Sequence, residues 1–190
     1  MAAGSSSRMG EPKQLMKFKS KTFLQHIVEE SKEANLNPVI CVTGYQADQI
    51  SNAINGMNVT IVYNGQWSEG MGTGISAGIK QALLSEVDSV ILAVSDQPYV
   101  SSGLFAKMLT LKDKSGKRIV ASSYAGTLGT PVLFDKEYFN QLKSLHGNQG
   151  AKNIVHKNMS DVCTVKFEKG SIDIDTKEDY EKLISEIHNA

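Results

Sequence analysis

Apolar positions along the chain fall into two alternating patterns, short unbroken runs and stripes of helical period. The runs are Val39-Ile40-Cys41-Val42-Thr43, Val59-Thr60-Ile61-Val62-Tyr63, Ser89-Val90-Ile91-Leu92-Ala93-Val94, Ile119-Val120-Ala121 and Val132-Leu133-Phe134. Near-continuous apolar runs mark strands buried on both faces, as in a parallel sheet. Residues 162–167 alternate instead, which suits an edge or half-exposed strand. Between the runs, apolar residues recur at helical spacing: Phe23, Ile27 and Val28; Ala47, Ile50 and Ile54; Ile75, Ile79 and Leu83; Leu104, Phe105, Met108 and Leu111; and Tyr180, Leu183, Ile184 and Ile187. Thr22 with Gln25 and Thr176 with Asp179 read as capping pairs, Ser101 opens a further helix, and Pro38 forbids continuation of the helix before it. Strands and helices alternate without repeats, low-complexity tracts or linkers. The expected class is α/β: one domain over residues 1–190, with a Rossmann-like, mostly parallel twisted sheet and helices on both faces.

Composition narrows the function classes. The 190 residues carry 20 basic and 20 acidic side chains, so the formal net charge is zero. A neutral chain lacks the electrostatic footprint of a nucleic-acid binder, so any anionic ligand must be held by a local cluster. No apolar run approaches a membrane span, and Met1 leads into a small polar loop rather than a secretory leader. A cytoplasmic monomer is expected, with no nucleic acid or membrane partner. Cys41 and Cys163 lie within apolar runs and read as free thiols. His26, His146, His156 and His188 have no metal-ligand spacing, and His26 is expected on an exposed helix face.

The chemistry-bearing stretch is the opening Ala2-Ala3-Gly4-Ser5-Ser6-Ser7-Arg8-Met9-Gly10-Glu11-Pro12-Lys13. Small residues let backbone N–H groups approach an anion, and glycine tolerates the positive φ that such a cradle needs. Arg8 can fork onto phosphate oxygens and Lys13 can act as a point charge, so the segment reads as a triphosphate cradle. The competing reading is a flexible Gly/Ser tail. It is neither a Walker loop nor a dinucleotide fingerprint. A loop of this kind ordinarily follows a buried strand, yet only Met1 precedes Ala2, so that first strand is expected to be absent. A second glycine-rich stretch includes Gly70, Gly72, Gly74 and Gly78, and is expected to form a loop that lets a flat group approach the backbone before the helix at Ile75 begins. Trp67 within it reads either as a ring that stacks on a ligand or as a lid residue. Asp96 follows the most apolar run, at the strand end where open α/β sheets place ligand chemistry. Phosphates with carboxylates suggest Mg²⁺; Asp96 is the first candidate ligand, and Asp175 or Asp173 the second.

These blocks resemble the small nucleotidyltransferases of molybdenum cofactor maturation. The opening loop is similar to that family's signature, Gly72-x-Gly74-x-Ser76-x-x-Gly78 to its second nucleotide loop, and Asp96-Gln97-Pro98 to its metal-binding turn. Gly129-Thr130-Pro131-Val132 and Asp173-Ile174-Asp175-Thr176-x-Glu178-Asp179 resemble its later motifs, so the likeness runs in order through nearly the whole chain. The resemblance implies a nucleotide-diphospho-sugar transferase-like fold. It implies that Ala2, Ala3, Gly4, Ser5, Arg8 and Lys13 hold the triphosphate, that Gly74, Ser76 and Gly78 line base and ribose, and that Asp96 and Asp175 hold Mg²⁺. Lys13, Arg8 and Asp96 would be the catalytic groups. Ala3 points to the cytidylyl branch, hence CTP, because the guanylyl branch typically reads Ala-Gly-Gly. Residues 127–131 and 147–151 would face a molybdopterin-type phosphate, with a molybdoenzyme as recipient of the product. Thr130, Asn148 and Lys152 depart from the residues usual at those acceptor-side positions. A sugar- or polyol-phosphate acceptor and a non-catalytic cofactor-delivery protein remain the alternatives.

Overall fold

The computed structural model describes residues 1–2, 12–174 and 176–188, the side chains of 187 and 188 excepted. In chain order the strands are β1 (Lys17–Phe18), β2 (Lys21–Thr22), β3 (Ile40–Thr43), β4 (Thr60–Tyr63), β5 (Ser89–Leu92), β6 (Ile119–Tyr124), β7 (Thr127–Asp135) and β8 (Val162–Lys166). The helices are α1 (Phe23–Glu33), α2 (Ala47–Ala53), α3 (Met71–Ala82), α4 (Ser102–Ser115), α5 (Phe139–Lys143), α6 (Lys152–Lys157) and α7 (Lys177–His188). Local chemistry sets several helix starts. Thr22 and Gln25 form a reciprocal capping box on α1. Ser101 accepts from the Leu104 N–H at 3.3 Å, and Thr176 and Asp179 cap each other's N–H at the start of α7.

The α/β class holds, but the described strands fall into three sheets, β1-β2, β3-β4 and β5-β7-β6-β8, and the largest is mixed rather than mostly parallel. β3 and β4 pair in parallel, as do β6 and β8, whereas β7 runs antiparallel between β5 and β6. The reversal comes from a two-residue turn, Ala125-Gly126, in which both residues have positive φ (47° and 73°). That geometry matches the twist of a hairpin and returns the chain directly onto its neighbour. The alternating run forms β8, at the edge of the order β5-β7-β6-β8, as expected. Successive side chains of the central strands serve opposite layers. Ile119, Ala121, Val132 and Phe134 pack against α3, α5 and α6, while Val120, Leu133 and Val165 pack against α4. Fully burying each such large apolar side chain stabilises the fold by about 1.5–3 kcal/mol.

Two expectations are corrected. His26 is not on an exposed face: its side chain is 19% exposed, its Nε2 lies 3.1 Å from the Val100 carbonyl, and its ring meets Phe18 edge-on. The β5 run reads as the most apolar strand, yet all four of its residues are only half-buried. Among the described residues, no helix is long and apolar enough to cross a membrane.

Candidate active site

Asp96 lies four residues beyond the end of β5, in a turn fixed from behind. Gln97 is buried and donates through Nε2 to the Gly170 carbonyl at 2.8 Å. The Ile174 N–H donates to the Asp96 carbonyl at 3.1 Å, which brings Ile174 alongside Asp96. Asp173 is exposed, and Asp175 lies outside the described residues. Lys13 opens a short 3-10 turn over Lys13–Leu15. The buried Gln14 donates to the Ala2 carbonyl at 3.1 Å, so it ties together the two ends of the opening loop. Neighbouring backbone and side chains thus aim both chemical groups, and the side chains meet: Lys13 Nζ is 2.5 Å from Asp96 Oδ2.

The other oxygen, Asp96 Oδ1, is buried without a hydrogen-bond partner among the described residues. A buried acceptor left unmatched costs about 1–3 kcal/mol, so it calls for a cation or a donor. The pair opens into a cavity of about 680 Å³ that also takes in Met1, Trp67, Gly74, Tyr124, Thr127 and Lys152. That volume is within the range of small-molecule sites. Lys152 donates to Thr127 Oγ1 at 3.0 Å on the far wall, where Leu128, Gly129, Thr130, Gly150 and Ala151 also line the cavity. Trp67 packs against Tyr45 with ring centroids 5.5 Å apart, so one side of the indole is held by protein and the residue also lines the cavity.

The glycine-rich stretch is corrected most. Residues 71–82 form α3 rather than a loop; Gly70 and Gly74 line the cavity, and Gly72, Ser76 and Gly78 do not. Ser76 is buried and spends its hydroxyl on the Lys143 carbonyl at 2.6 Å, which pins α3 to α5. Gly78 sits against β3, where an added Cβ would lie 3.1 Å from Val42 Cγ2. Gly72 allows backbone contact with the following loop: a Cβ there would come within 2.7 Å of the His146 main chain. Gly70, at φ +127°, makes the turn that starts the helix. Gly72 and Gly78 thus allow close packing of α3 against its neighbours. Ala2 is likewise a core residue. Its N–H donates to Val42 O at 3.0 Å and its carbonyl accepts from Gln14, so it offers no free amide to a phosphate. Ala3, Gly4, Ser5 and Arg8 lie outside the described residues.

Sequence reasoning missed Gln14, Tyr124 and the buried Asn64–Thr73 pair, whose 2.9 Å bond ties β4's end to α3. Gln97 stood in a motif, but its orientation toward Gly170 is a long-range contact that spacing does not reveal.

An α/β layer with a cation–carboxylate pair at the strand tips, opening on a nucleotide-sized cavity, defines the nucleotidyltransferase class. The chain belongs to the MobA-like NTP transferase domain family, whose model matches residues 1–162. It is similar to the purine catabolism protein PucB of Bacillus subtilis, 24% identical over 96% of this chain and 93% of that protein. The molybdenum cofactor cytidylyltransferase of Escherichia coli is 25% identical over 94% of this chain and 90% of the relative. Among solved structures, the complex of Rv0371c from Mycobacterium tuberculosis with manganese superposes with a TM-score of 0.73 at 25% identity, covering 96% of this chain and 94% of that one.

Proposed function

We propose that the protein transfers CMP from CTP to the terminal phosphate of molybdenum-bound molybdopterin, with release of pyrophosphate. The observation that carries this reading is the Lys13–Asp96 pair on one cavity wall, with one Asp96 oxygen unmatched. The likeness to the Escherichia coli cytidylyltransferase supports the donor and the acceptor. An acceptor phosphate oxygen attacks the α-phosphorus of CTP, the new P–O bond forms as the bond to the β-phosphate oxygen breaks, and pyrophosphate departs with its charge. A phosphate anion is already nucleophilic, so no covalent enzyme intermediate is needed. The protein aligns the reactants and neutralises charge.

Lys13 and Asp96 neutralise each other before substrate binds. On binding, Lys13 turns to the triphosphate and, with Arg8, takes up the charge that develops on the leaving group. Asp96, through the unmatched Oδ1, and Asp175 are the residues that would hold a divalent cation, and the similar Rv0371c forms a complex with manganese. When bound, such an ion supplies charge neutralisation and Lewis acidity at phosphate oxygens. Lys152 and the 127–130 wall receive the acceptor, and Trp67 and Gly74 lie on the donor side.

The test is pyrophosphate release with Mg²⁺, each of CTP, GTP, UTP and ATP, and molybdopterin or sugar- and polyol-phosphates as acceptors, with product mass read out. CTP-dependent product on molybdopterin is expected. Product only on a sugar- or polyol-phosphate overturns the acceptor. Nucleotide binding without pyrophosphate release from any combination makes the protein a delivery factor.

A further inference from the structure

The β6–β7 hairpin is irregular beside the cleft. Its register pairs Ala121 with Val132 and then resumes with Ser122 opposite Gly129, which leaves Thr130 and Pro131 without a partner on β6. Irregularities of this kind increase the local twist and re-aim side chains. Beyond this one, Tyr124 ends β6 opposite Thr127, and its ring reaches diagonally across to Gly129. A Cβ on Gly129 would overlap the Tyr124 hydroxyl and lie 2.7 Å from Cζ, and one on Gly170 would lie 2.6 Å from Cε1. Phe167 meets the ring edge-on, with centroids 6.1 Å apart. Two absent side chains and one aromatic ring therefore make a slot for Tyr124 and fix where its hydroxyl stands.

Gln97 reaches that hydroxyl from behind. Its Nε2 donates to the Gly170 carbonyl at 2.8 Å and to Tyr124 Oη at 3.4 Å. The carbonyl can only accept, so it sets which end of the Gln97 amide faces the tyrosine. Tyr124 Oη is thus an acceptor toward Gln97, and its own proton has no acceptor among the described residues. Tyr124 and Gly129 both line the cleft, on the wall that carries Lys152. Lys152 donates to Thr127, the ladder partner of Tyr124, at 3.0 Å. An uncommitted phenol proton and an ammonium on one wall match the oxygens of an anion.

We infer that Tyr124 is an acceptor-binding residue: its hydroxyl, held by Gln97, donates a hydrogen bond to a phosphate oxygen of the acceptor. The inference rests on the acceptor side of the cleft in the proposed function. Gln97 follows Asp96 in the chain, so the hydroxyl and the Asp96 carboxylate share one support.

The test pairs Tyr124→Phe, which keeps the ring in its slot, with magnetic resonance of the full chain carrying carbon-13 at tyrosine Cζ. The chain has six tyrosines, and the variant identifies the Tyr124 signal. Molybdopterin and inorganic phosphate are titrated separately, with the α,β-methylene analogue of CTP in excess to fill the donor side. The Tyr124 signal is expected to move with either probe, and Tyr124→Phe to weaken binding of that probe by at least about tenfold. In the pyrophosphate-release assay the acceptor KM of the variant should rise by the same factor, with the CTP KM and the thermal midpoint unchanged. A Tyr124 signal that stays in place with both probes, together with an unchanged acceptor KM, overturns the inference and leaves the proposed function standing. A raised CTP KM in place of the acceptor KM also overturns it, as does an equal loss of both affinities with a lowered midpoint, which makes Tyr124 a packing residue. Where no combination of substrates releases pyrophosphate, the proposed function fails, and the titrations alone decide: a moving Tyr124 signal and weaker binding by the variant sustain the inference, and their absence overturns it.

Discussion

Two concave regions meet at Met1, and they are built from different materials. The cleft at the strand tips is lined by side chains: a cation, a carboxylate with one unmatched oxygen, an indole and a distant lysine. The groove between β3 and β5 is lined by apolar side chains and bare backbone edges. A cleft of the first kind handles a charged ligand that comes and goes. Met1 belongs to both, so damage to the groove is expected to reach the cleft through the turn around residues 93–96.

Substitutions separate the two regions. Lys13→Ala and Asp96→Asn in the cleft are each expected to lower the rate of pyrophosphate release by about two orders of magnitude or more while the thermal midpoint moves little. Near-normal turnover in either variant would remove that residue from the proposed mechanism. Gly72→Ala should do the reverse. Its Cβ would lie 2.7 Å from the His146 backbone, so a loss of about 1–3 kcal/mol is expected in urea unfolding. Lys152→Ala should raise the acceptor KM about tenfold with the CTP KM unchanged; equal effects on both would place Lys152 outside the acceptor wall. Ser76→Ala tests the reassignment of α3: a loss of about 1 kcal/mol in stability and no change in nucleotide affinity are expected.

The smallest effect is a pH dependence that belongs to the groove. Burial lowers the pKa of the Met1 amine below its ordinary 8.0, while the charges of Cys41 and Asp96 work in the opposite direction. The folded chain then binds fewer protons at this site than the unfolded chain just below pH 8. Stability contributed here therefore rises with pH between the lowered value and about 8, and levels off above. Urea midpoints measured from pH 6 to 9 should show that rise. Acetylation of the N-terminus should remove it, and an unchanged slope after acetylation would assign the rise to other groups.

Local signals were legible where the partner lies within a few residues. The capping pair at Thr22 and Gln25, the caps at Ser101 and Thr176, and the alternating edge strand all appear where spacing placed them. Asp96 stood out in the sequence because it follows an apolar run at the strand end where open α/β sheets place ligand chemistry. The glycines of α3 misled for a physical reason: small residues serve equally where a ligand nears the backbone and where another helix or loop does. Ser76, Gly78 and Ala2 look like site residues in a motif, and the structure holds all three in packing contacts or main-chain hydrogen bonds. His26 likewise finds its partners in Phe18 and Val100, the latter 74 positions away in sequence.

By itself the sequence determined the alternation of strand and helix, the helix starts, and the residue types able to grip a phosphate, because each depends on periodicity or on neighbours three or four positions apart. Only the tertiary structure decided that Lys13 and Asp96 touch, that β7 runs against its neighbours, and that β3 and β5 stand apart with Met1 between them. Those outcomes depend on contacts between segments distant along the chain, where packing and backbone pairing choose among arrangements that local pattern leaves equivalent.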